Sequence, residues 1–324
     1  MLRGVTTPRA LRRAGATTLA VAVLVTIGSP AVGASREPGA APKVSPEARA
    51  LARDAAMTTR ARTLYLANRP TVDSRADFTG HCPAPETPDS YVLGCYRPGT
   101  KRIHVLRIER PELASGMVVT AGHELLHAAH DRMTKAQRRA LRPLLEQTYV
   151  ATADPKLHEV VDSYPERERV GEMYARLGTE VAELPSKLER HYAAYFRDRA
   201  VVLAASAAYR RVFADLDTEL GLIAAEMQAL KLEEDALRSQ IDVVGGEAER
   251  LSAEIGSLRA QGRISESNRL VEPANAAARN ANSLVATYNG LIERHHALFE
   301  RYNALALSER QLVDSLRPLP LAAA

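Results

Sequence analysis

The chain has 324 residues, of which 46% are apolar and 25% charged, with a formal net charge of +4 and a pI near 9.1. This composition is close to the average for globular proteins, which argues against wholesale disorder and against a membrane protein with many spans. Aromatic residues are scarce and Trp is absent, so the core must be built from aliphatic residues, which favours helices over an all-β sandwich.

The first 34 residues have the pattern of an export signal. Four arginines lie among the first 13 residues, and residues 14–34 are uncharged, with the apolar run 19–27 at their centre. We predict a signal peptide over residues 1–34, with an uncleaved membrane anchor as the alternative, and a secreted or envelope-associated protein. The rest of the chain carries 39 basic and 39 acidic side chains, so charge gives no support to nucleic acid as a partner.

The next segments contain a linker, a helix start and two cysteines. Residues 35–45 are rich in Pro, Gly and Ala and are predicted to be a linker. Ser45 as N-cap and Pro46 at the first helical position predict a helix that runs to about Asn68. Cys82 and Cys95 are the only cysteines, and in an exported protein they are expected to form a disulfide rather than remain free thiols.

Residues 91–108 favour strands. Apolar and aromatic residues in 91–96 and 103–106 flank a turn at 98–100 that contains Pro98 and Gly99, which predicts a short antiparallel sheet. The strand at 102–107, which includes His104, is expected to bind an extended peptide along its edge. Residues 154–168 hold turn formers and charges and are predicted to loop over the surface. From about Val170 onward the sequence is almost wholly helical.

The chemistry lies in the pattern His-Glu-x-x-His at residues 123–127. On a helix, His123 and His127 are one turn apart on the same face, so both imidazoles can bind one metal ion. Glu124 beside them can take a proton from an activated water and return it to the leaving amine. These residues predict one Zn²⁺ per chain. His130 lies about 10 Å further along the axis than His123 and is expected to support the site rather than bind the metal.

A catalytic zinc needs a third protein ligand, and the acid-rich helix that begins near Val170 is the best source. His123, Glu124 and His127, followed by Glu172 in the segment Glu-Met-Tyr-Ala, resemble the gluzincin type of zinc metallopeptidase. The resemblance implies that His123, His127 and Glu172 are ligands and that Glu124 is the catalytic base.

The chain departs from the gluzincin pattern at one position. Arg176 stands where that family often has an Asp that orients a ligand histidine, and Asp131 or Glu180 could take that role. Glu180 is also the second choice for the third ligand, ahead of Glu183.

One further role is expected from residues near the predicted site. Tyr174, His191 or Tyr192 could donate a hydrogen bond to the oxyanion of the transition state. For each of them, a packing or surface role is the competing interpretation.

The last third of the chain predicts a helical hairpin. Apolar residues spaced by four and three run from Leu216 to Leu258 with Glu234 as the single exception, and a second such series runs from Leu284 to Leu305 and includes His295. The polar stretch 261–272, bounded by Gly262 and Pro273, is expected to hold the turn. A monomeric antiparallel coiled coil is favoured over dimerisation through the same helices, and the hairpin could bind an envelope or protein partner.

Together these features predict an α+β protein that is mostly α. A signal peptide (1–34) and linker (35–45) precede a zincin-like catalytic domain (46–205) and a coiled-coil hairpin (206–318). The predicted function is an exported zinc peptidase acting on peptides or proteins. The alternative is an exported structural or interaction protein with a structural or inactive zinc site.

Overall fold

The structure is a computed structural model that describes residues 44–82 and 92–317, so the predicted signal peptide and residues 35–43 of the predicted linker lie outside the described residues. The described chain contains ten α-helices, three strands and one short 3₁₀ helix at Pro111–Leu113. The helices are α1 Pro46–Asp54, α2 Thr59–Ala67, α3 Arg75–His81, α4 Ser115–Asp131, α5 Lys135–Ala151, α6 Pro155–Ser163, α7 Glu166–Glu180, α8 Ser186–Tyr192, α9 Arg199–Ala260 and α10 Ile264–Leu316; the strands are β1 Thr71–Asp73, β2 Gly94–Arg97 and β3 Arg102–Leu106.

The first predicted helix is divided into α1 and α2. Ser45 caps α1, with its side chain accepting a hydrogen bond from the backbone of Ala48, as the Ser-Pro pair predicts. The prediction that the helix continues to Asn68 is wrong, because Ala56 adopts a left-handed conformation and ends it. Thr58 then caps α2 by accepting a hydrogen bond from the N–H of Ala61. The chain therefore changes direction at residues 55–58.

The sheet is mixed, with strand order β1-β3-β2. β2 and β3 are antiparallel, as predicted, but β1 pairs with β3 in parallel, so the expectation of a purely antiparallel sheet is wrong. The three-residue β1 has no alternating pattern long enough to be recognised in the sequence. Because β3 pairs with a strand on each side, the prediction that 102–107 is a substrate-binding edge is wrong; among the described strands, β2 lies at the edge on that side.

Helix α4 lies at the centre of the first compact unit, which comprises residues 44–214 and 311–317 of the described chain. It packs against α1, α2, α7 and the strands β2 and β3. Two glycines allow the closest approaches: a Cβ at Gly94 would lie 2.3 Å from Thr120, and one at Gly178 would lie 2.4 Å from Leu126. The core around α4 is aliphatic and tyrosine-rich, and it includes Tyr65, Leu125, Leu126, Tyr174 and Tyr192.

Residues 154–168 do not form the predicted surface loop. They contain α6 and the start of α7. Asp154 caps α6 by accepting hydrogen bonds from the N–H groups of Lys156 and Leu157, and Pro155 occupies its first turn. The pair Asp154-Pro155 thus begins a helix. The prediction of a loop rests on the turn-forming composition of the segment and does not take this pair into account.

The second compact unit, residues 215–310, is the predicted helical hairpin of α9 and α10, and this prediction is confirmed. Several positions of the first predicted apolar series, among them Ile223, Leu230 and Leu251, are buried in it. The turn is shorter than predicted, because Gly262 with φ of 73° reverses the chain at once and Pro273 lies inside α10. Ion pairs from Glu219 to Arg301 and from Glu226 to Arg294 join the two helices of the hairpin.

Each of the two predicted apolar series contains one polar residue, Glu234 in α9 and His295 in α10, and these two side chains contact each other. Glu234, which is 4% exposed, accepts a hydrogen bond of 2.8 Å from Nδ1 of His295 on the opposing helix. The sequence places these residues 61 positions apart, and each alone interrupts an otherwise apolar series. Their pairing satisfies both groups inside the hairpin and favours one register of α9 against α10.

Cys82 and Cys95 form the predicted disulfide, with Cα atoms 5.9 Å apart. Within the described residues, no helix is both long enough and apolar enough to cross a membrane.

Candidate metal centre

Helix α4 places His123, Glu124 and His127 in the middle of the core. Their spacing puts the two imidazoles one turn apart on one face, and the Nε2 atoms approach to 2.9 Å. His123, Glu124 and His127 are 1%, 0% and 4% exposed. The surrounding core therefore fixes the positions of all three side chains and separates them from bulk water.

Helix α7 adds Glu172 to this pair. Its Oε2 atom lies 3.7 Å from Nε2 of His123 and 3.3 Å from Nε2 of His127. One ligand atom from each of the three residues lies within 4.8 Å of the others. Of the two carboxylates considered for the third position, Glu172 is the one beside the histidines.

Arg176 holds Glu172 in this orientation. Its Nε donates a hydrogen bond of 2.6 Å to Oε1 of Glu172, while its Nη1 donates one of 2.9 Å to Glu180. Glu180 therefore contacts the arginine that positions Glu172. An arginine thus orients the carboxylate of Glu172, whereas the resemblance implies a carboxylate that orients a histidine.

The charges of these groups differ from those of exposed side chains. Burial would raise the pKa of Glu172, but the adjacent Arg176 guanidinium and His123 hold it well below its usual range. Burial lowers the pKa of His123. An ionised carboxylate and a neutral imidazole are the protonation states that bind a divalent cation.

Glu124 lies fully buried next to this group. Burial and the negative charge of Glu172 raise its pKa well above the usual value, opposed by the backbone of Tyr96 and by Arg176. The Tyr96 backbone is close enough to favour the ionised form, but neither oxygen of Glu124 accepts a hydrogen bond of good geometry. A bound divalent cation would favour the ionised form of this carboxylate.

Two tyrosines that sequence reasoning missed also face the site. The hydroxyl of Tyr65 is buried and has no hydrogen-bonding partner within the described residues. The pKa of Tyr65 is raised by burial and by the charge of Glu124. Burial and the charge of Glu172 likewise raise the pKa of Tyr164, which also interacts with Arg176. Both tyrosines come from distant segments, so no local motif indicates them.

The residues predicted to support the site divide into two groups. His130 and His127 both approach Gly171 of α7: a Cβ built on this glycine would lie 3.7 Å from His130 and 3.9 Å from His127. Burial and the neighbouring His127 lower the pKa of His130 to about 4. Asp131 accepts a hydrogen bond of 2.9 Å from the hydroxyl of Tyr96.

The second group is an aromatic cluster behind Glu172. The hydroxyl of Tyr174 pairs with Nε2 of His191 at 2.9 Å, and the hydroxyl of Tyr192 donates to the backbone oxygen of Tyr174 at 2.7 Å. These contacts satisfy the hydroxyl groups that were candidates for stabilising an oxyanion. Glu183 is absent from the group of converging metal-capable side chains.

The residues present fit a zinc ion. Oε2 of Glu172 is buried without a hydrogen-bonding partner among the described residues, although it faces two imidazole nitrogens. Two imidazoles and one carboxylate form a common donor set for a catalytic zinc that keeps one open position. A cation would satisfy the orphaned oxygen and both Nε2 atoms at once.

A cavity of about 150 Å³ is lined by two residues that neighbour this centre, although none of His123, Glu124, His127 and Glu172 lines it. Arg176, which contacts Glu172, and Thr120, one helical turn before Glu124, are among the residues that line it. Its other walls are mainly apolar and include Leu93, Val119, Val160 and Phe213. A cavity of this volume can hold a group about the size of benzene.

Comparison with known proteins gives no relative: no family model, no curated protein and no solved structure matches this chain.

Proposed function

We propose that this chain is an exported zinc-dependent peptidase whose first compact unit is a zincin-like catalytic domain of the gluzincin type. One observation carries the proposal: Nε2 of His123, Nε2 of His127 and Oε2 of Glu172 converge on one point, with the carboxylate of Glu124 buried beside them. The disulfide supports export, because disulfides persist mainly outside the cytosol.

The three ligands would hold one zinc ion. Zinc supplies Lewis acidity, which polarises a carbonyl and makes water more acidic. Arg176 keeps Oε1 of Glu172 occupied, so that Oε2 remains directed at the histidines. Burial lowers the pKa of His123 and so favours its neutral form, and it holds both imidazoles in a fixed geometry.

Glu124 acts as the general base and then as the general acid. It takes a proton from the attacking water and delivers it to the leaving amine. The unpartnered hydroxyl of Tyr65 faces the charge of Glu124. In this proposal it donates a hydrogen bond to the carbonyl oxygen as negative charge develops there.

The substrate is an extended peptide with an apolar side chain next to the scissile bond. The cavity lined by Thr120 and Arg176 has room for a side chain of about the size of Leu or Phe. Among the described strands, β2, which carries Tyr96, lies at an edge of the sheet, and we expect a peptide backbone to pair along this strand.

Zinc analysis combined with a hydrolysis assay tests the proposal. Purified wild-type protein is expected to bind zinc at the His123 centre and to cleave members of a broad peptide library. Glu124→Gln should retain zinc but lose activity by a factor of about 10² to 10⁴. Glu183→Gln is the matched control, an exposed acid outside the cluster, and should leave both properties unchanged.

The burial of the centre favours a second candidate function. His123, Glu124, His127 and Glu172 are each at most 4% exposed, and a closed site is typical of structural zinc. In this alternative, zinc stabilises the first compact unit and the hairpin binds an envelope or protein partner. Zinc bound at His123 without hydrolysis of any library peptide would favour the structural function over the peptidase.

A further inference from the structure

A second cluster of metal-binding side chains lies at the sheet. Asp73 ends β1, His104 is in the neighbouring strand β3, and His81 ends α3. One ligand atom from each lies within 4.8 Å of the others. The cluster shares no residue with the His123 centre, and the proposed peptidase makes no use of it.

The atoms converge on a single carboxylate oxygen. Nδ1 of His81 lies 2.7 Å and Nδ1 of His104 lies 2.8 Å from Oδ2 of Asp73. The hydroxyl of Thr71 lies 2.9 Å from the same nitrogen of His104. Four polar atoms thus surround one small volume, with two imidazole nitrogens directed at one charge.

Burial gives this cluster a closed side and an open side. The side chains of His104 and Asp73 are 2% and 7% exposed, whereas that of His81 is 43% exposed. An ion can therefore enter past His81, and water can occupy a remaining coordination position. The two buried ligands are fixed by their strands, which pair with each other in a defined register.

The disulfide fixes the third ligand near the other two. Cys82 follows His81 directly, and Cys95 is the register partner of His104 on the neighbouring strand. The covalent bond therefore limits the separation of His81 and His104 even when no ion is bound. This arrangement reduces the entropy that a metal ion must overcome when it binds.

The donor atoms select the class of ion. Two imidazole nitrogens and one carboxylate oxygen suit Zn²⁺ and Cu²⁺, whereas Mg²⁺ and Ca²⁺ prefer oxygen donors alone. Bonds of about 2.0–2.2 Å in a tetrahedral site separate the ligand atoms by about 3.4 Å. The imidazole rings have centroids 4.3 Å apart and planes 24° apart, so the half-exposed His81 must move outward and turn to bind.

We propose that Asp73, His81 and His104 form a second divalent metal site, which takes Zn²⁺ or Cu²⁺ and links α3 to the sheet. Without an ion, the same contacts act as hydrogen bonds around Asp73. The added effect of the ion is a cross-link between β1, β3 and α3.

Zinc stoichiometry of the full chain tests this site. Chelator-stripped protein is dialysed against Zn²⁺ and analysed by elemental analysis. His81→Ala should bind one zinc fewer per chain than the wild type, whether or not the His123 centre is occupied. His296→Ala, which removes an exposed histidine of the hairpin, is the matched control and should lose none.

Repeating the measurement in a variant that lacks the His123 centre separates this inference from the proposed function. His123→Ala removes a ligand of the first centre and should still bind one zinc, which the double variant His81→Ala/His123→Ala should lose. Glu172→Gln replaces His123→Ala if that variant does not fold. Zinc should raise the thermal midpoint of the variant in which the first centre is disabled, but not after His81→Ala is added. Unchanged stoichiometry in His81→Ala would overturn the proposal.

Discussion

Tyr65 and Glu124, at the candidate metal centre, carry buried polar groups that lower the stability of the fold. Both are fully buried, and neither the Tyr65 hydroxyl nor the Glu124 carboxylate has a hydrogen-bonding partner of good geometry within the described residues. A buried polar group in this state costs about 1–3 kcal/mol. Such groups are retained where a ligand, water or ion satisfies them, and both lie beside the ligands proposed for zinc.

Replacing Tyr65 by Phe should separate its catalytic role from its packing role. Tyr65→Phe is expected to reduce kcat by about 10²-fold, as for other oxyanion donors. Its free energy of unfolding should not fall, because no hydrogen bond is lost. Turnover of a fluorogenic peptide and urea denaturation measure the two quantities.

Tyr192→Phe is the matched control for stability. Its hydroxyl donates to the backbone of Tyr174, so its loss should lower the free energy of unfolding by about 1 kcal/mol. An unchanged kcat in Tyr65→Phe would remove Tyr65 from the mechanism.

At the scale of elements, the contact between α4 and α7 sets the geometry of the proposed ligands. Gly178 allows it, because a Cβ there would lie 2.4 Å from Leu126 and 2.7 Å from Tyr192. Gly178→Ala should lower the free energy of unfolding by about 1–3 kcal/mol through overpacking. It should also weaken zinc binding, since α4 and α7 carry different ligands. Chemical denaturation and zinc titration check both effects.

Gly221 provides the control for helix propensity. It lies in α9, and a Cβ at this position would meet no atom within 4 Å. Gly221→Ala should therefore increase stability by about 0.5–1 kcal/mol. If Gly178→Ala had the same stabilising effect, the close helix contact would not limit the site.

The Glu234–His295 pair makes a prediction about the hairpin. His295→Leu leaves the buried Glu234 carboxylate without its partner and should lower the free energy of unfolding by about 1–3 kcal/mol. The double variant Glu234→Leu/His295→Leu should be at least as stable as the wild type, because apolar residues can replace a buried polar pair. A double-mutant cycle followed by circular dichroism measures the coupling. Strictly additive effects would mean that the pair does not specify the register.

At the scale of the whole molecule, the disulfide stabilises the first compact unit by restricting the unfolded chain. Cys82 and Cys95 are 13 positions apart, and a cross-link of this length contributes about 3 kcal/mol. Cys82→Ser/Cys95→Ser should lose about that much stability in urea denaturation. Reductant should destabilise the wild type by a similar amount and leave the double variant unaffected; equal stability of both proteins without reductant would contradict the prediction.

The sequence predicted the features that depend on neighbouring residues. The hairpin follows from apolar residues at helical spacing, the disulfide from two cysteines behind a predicted export signal, and the pairing of β2 with β3 from a short turn. The facing of His123 and His127 follows from their separation by one helical turn. The errors also have local causes: Ala56 ends a helix without Gly or Pro, and Asp154 with Pro155 begins one inside a segment that resembles a loop.

Tertiary structure alone decided which distant groups meet. Glu172 lies beside the histidines while Glu180 contacts Arg176, and this choice depends on how α7 packs against α4. The same holds for Tyr65 beside Glu124 and for Asp73 beside His104. Periodicity indicates which face of an element is buried, but not which other buried face it contacts. Those contacts depend on the packing of the whole core, where side chains from separate segments must fill one volume.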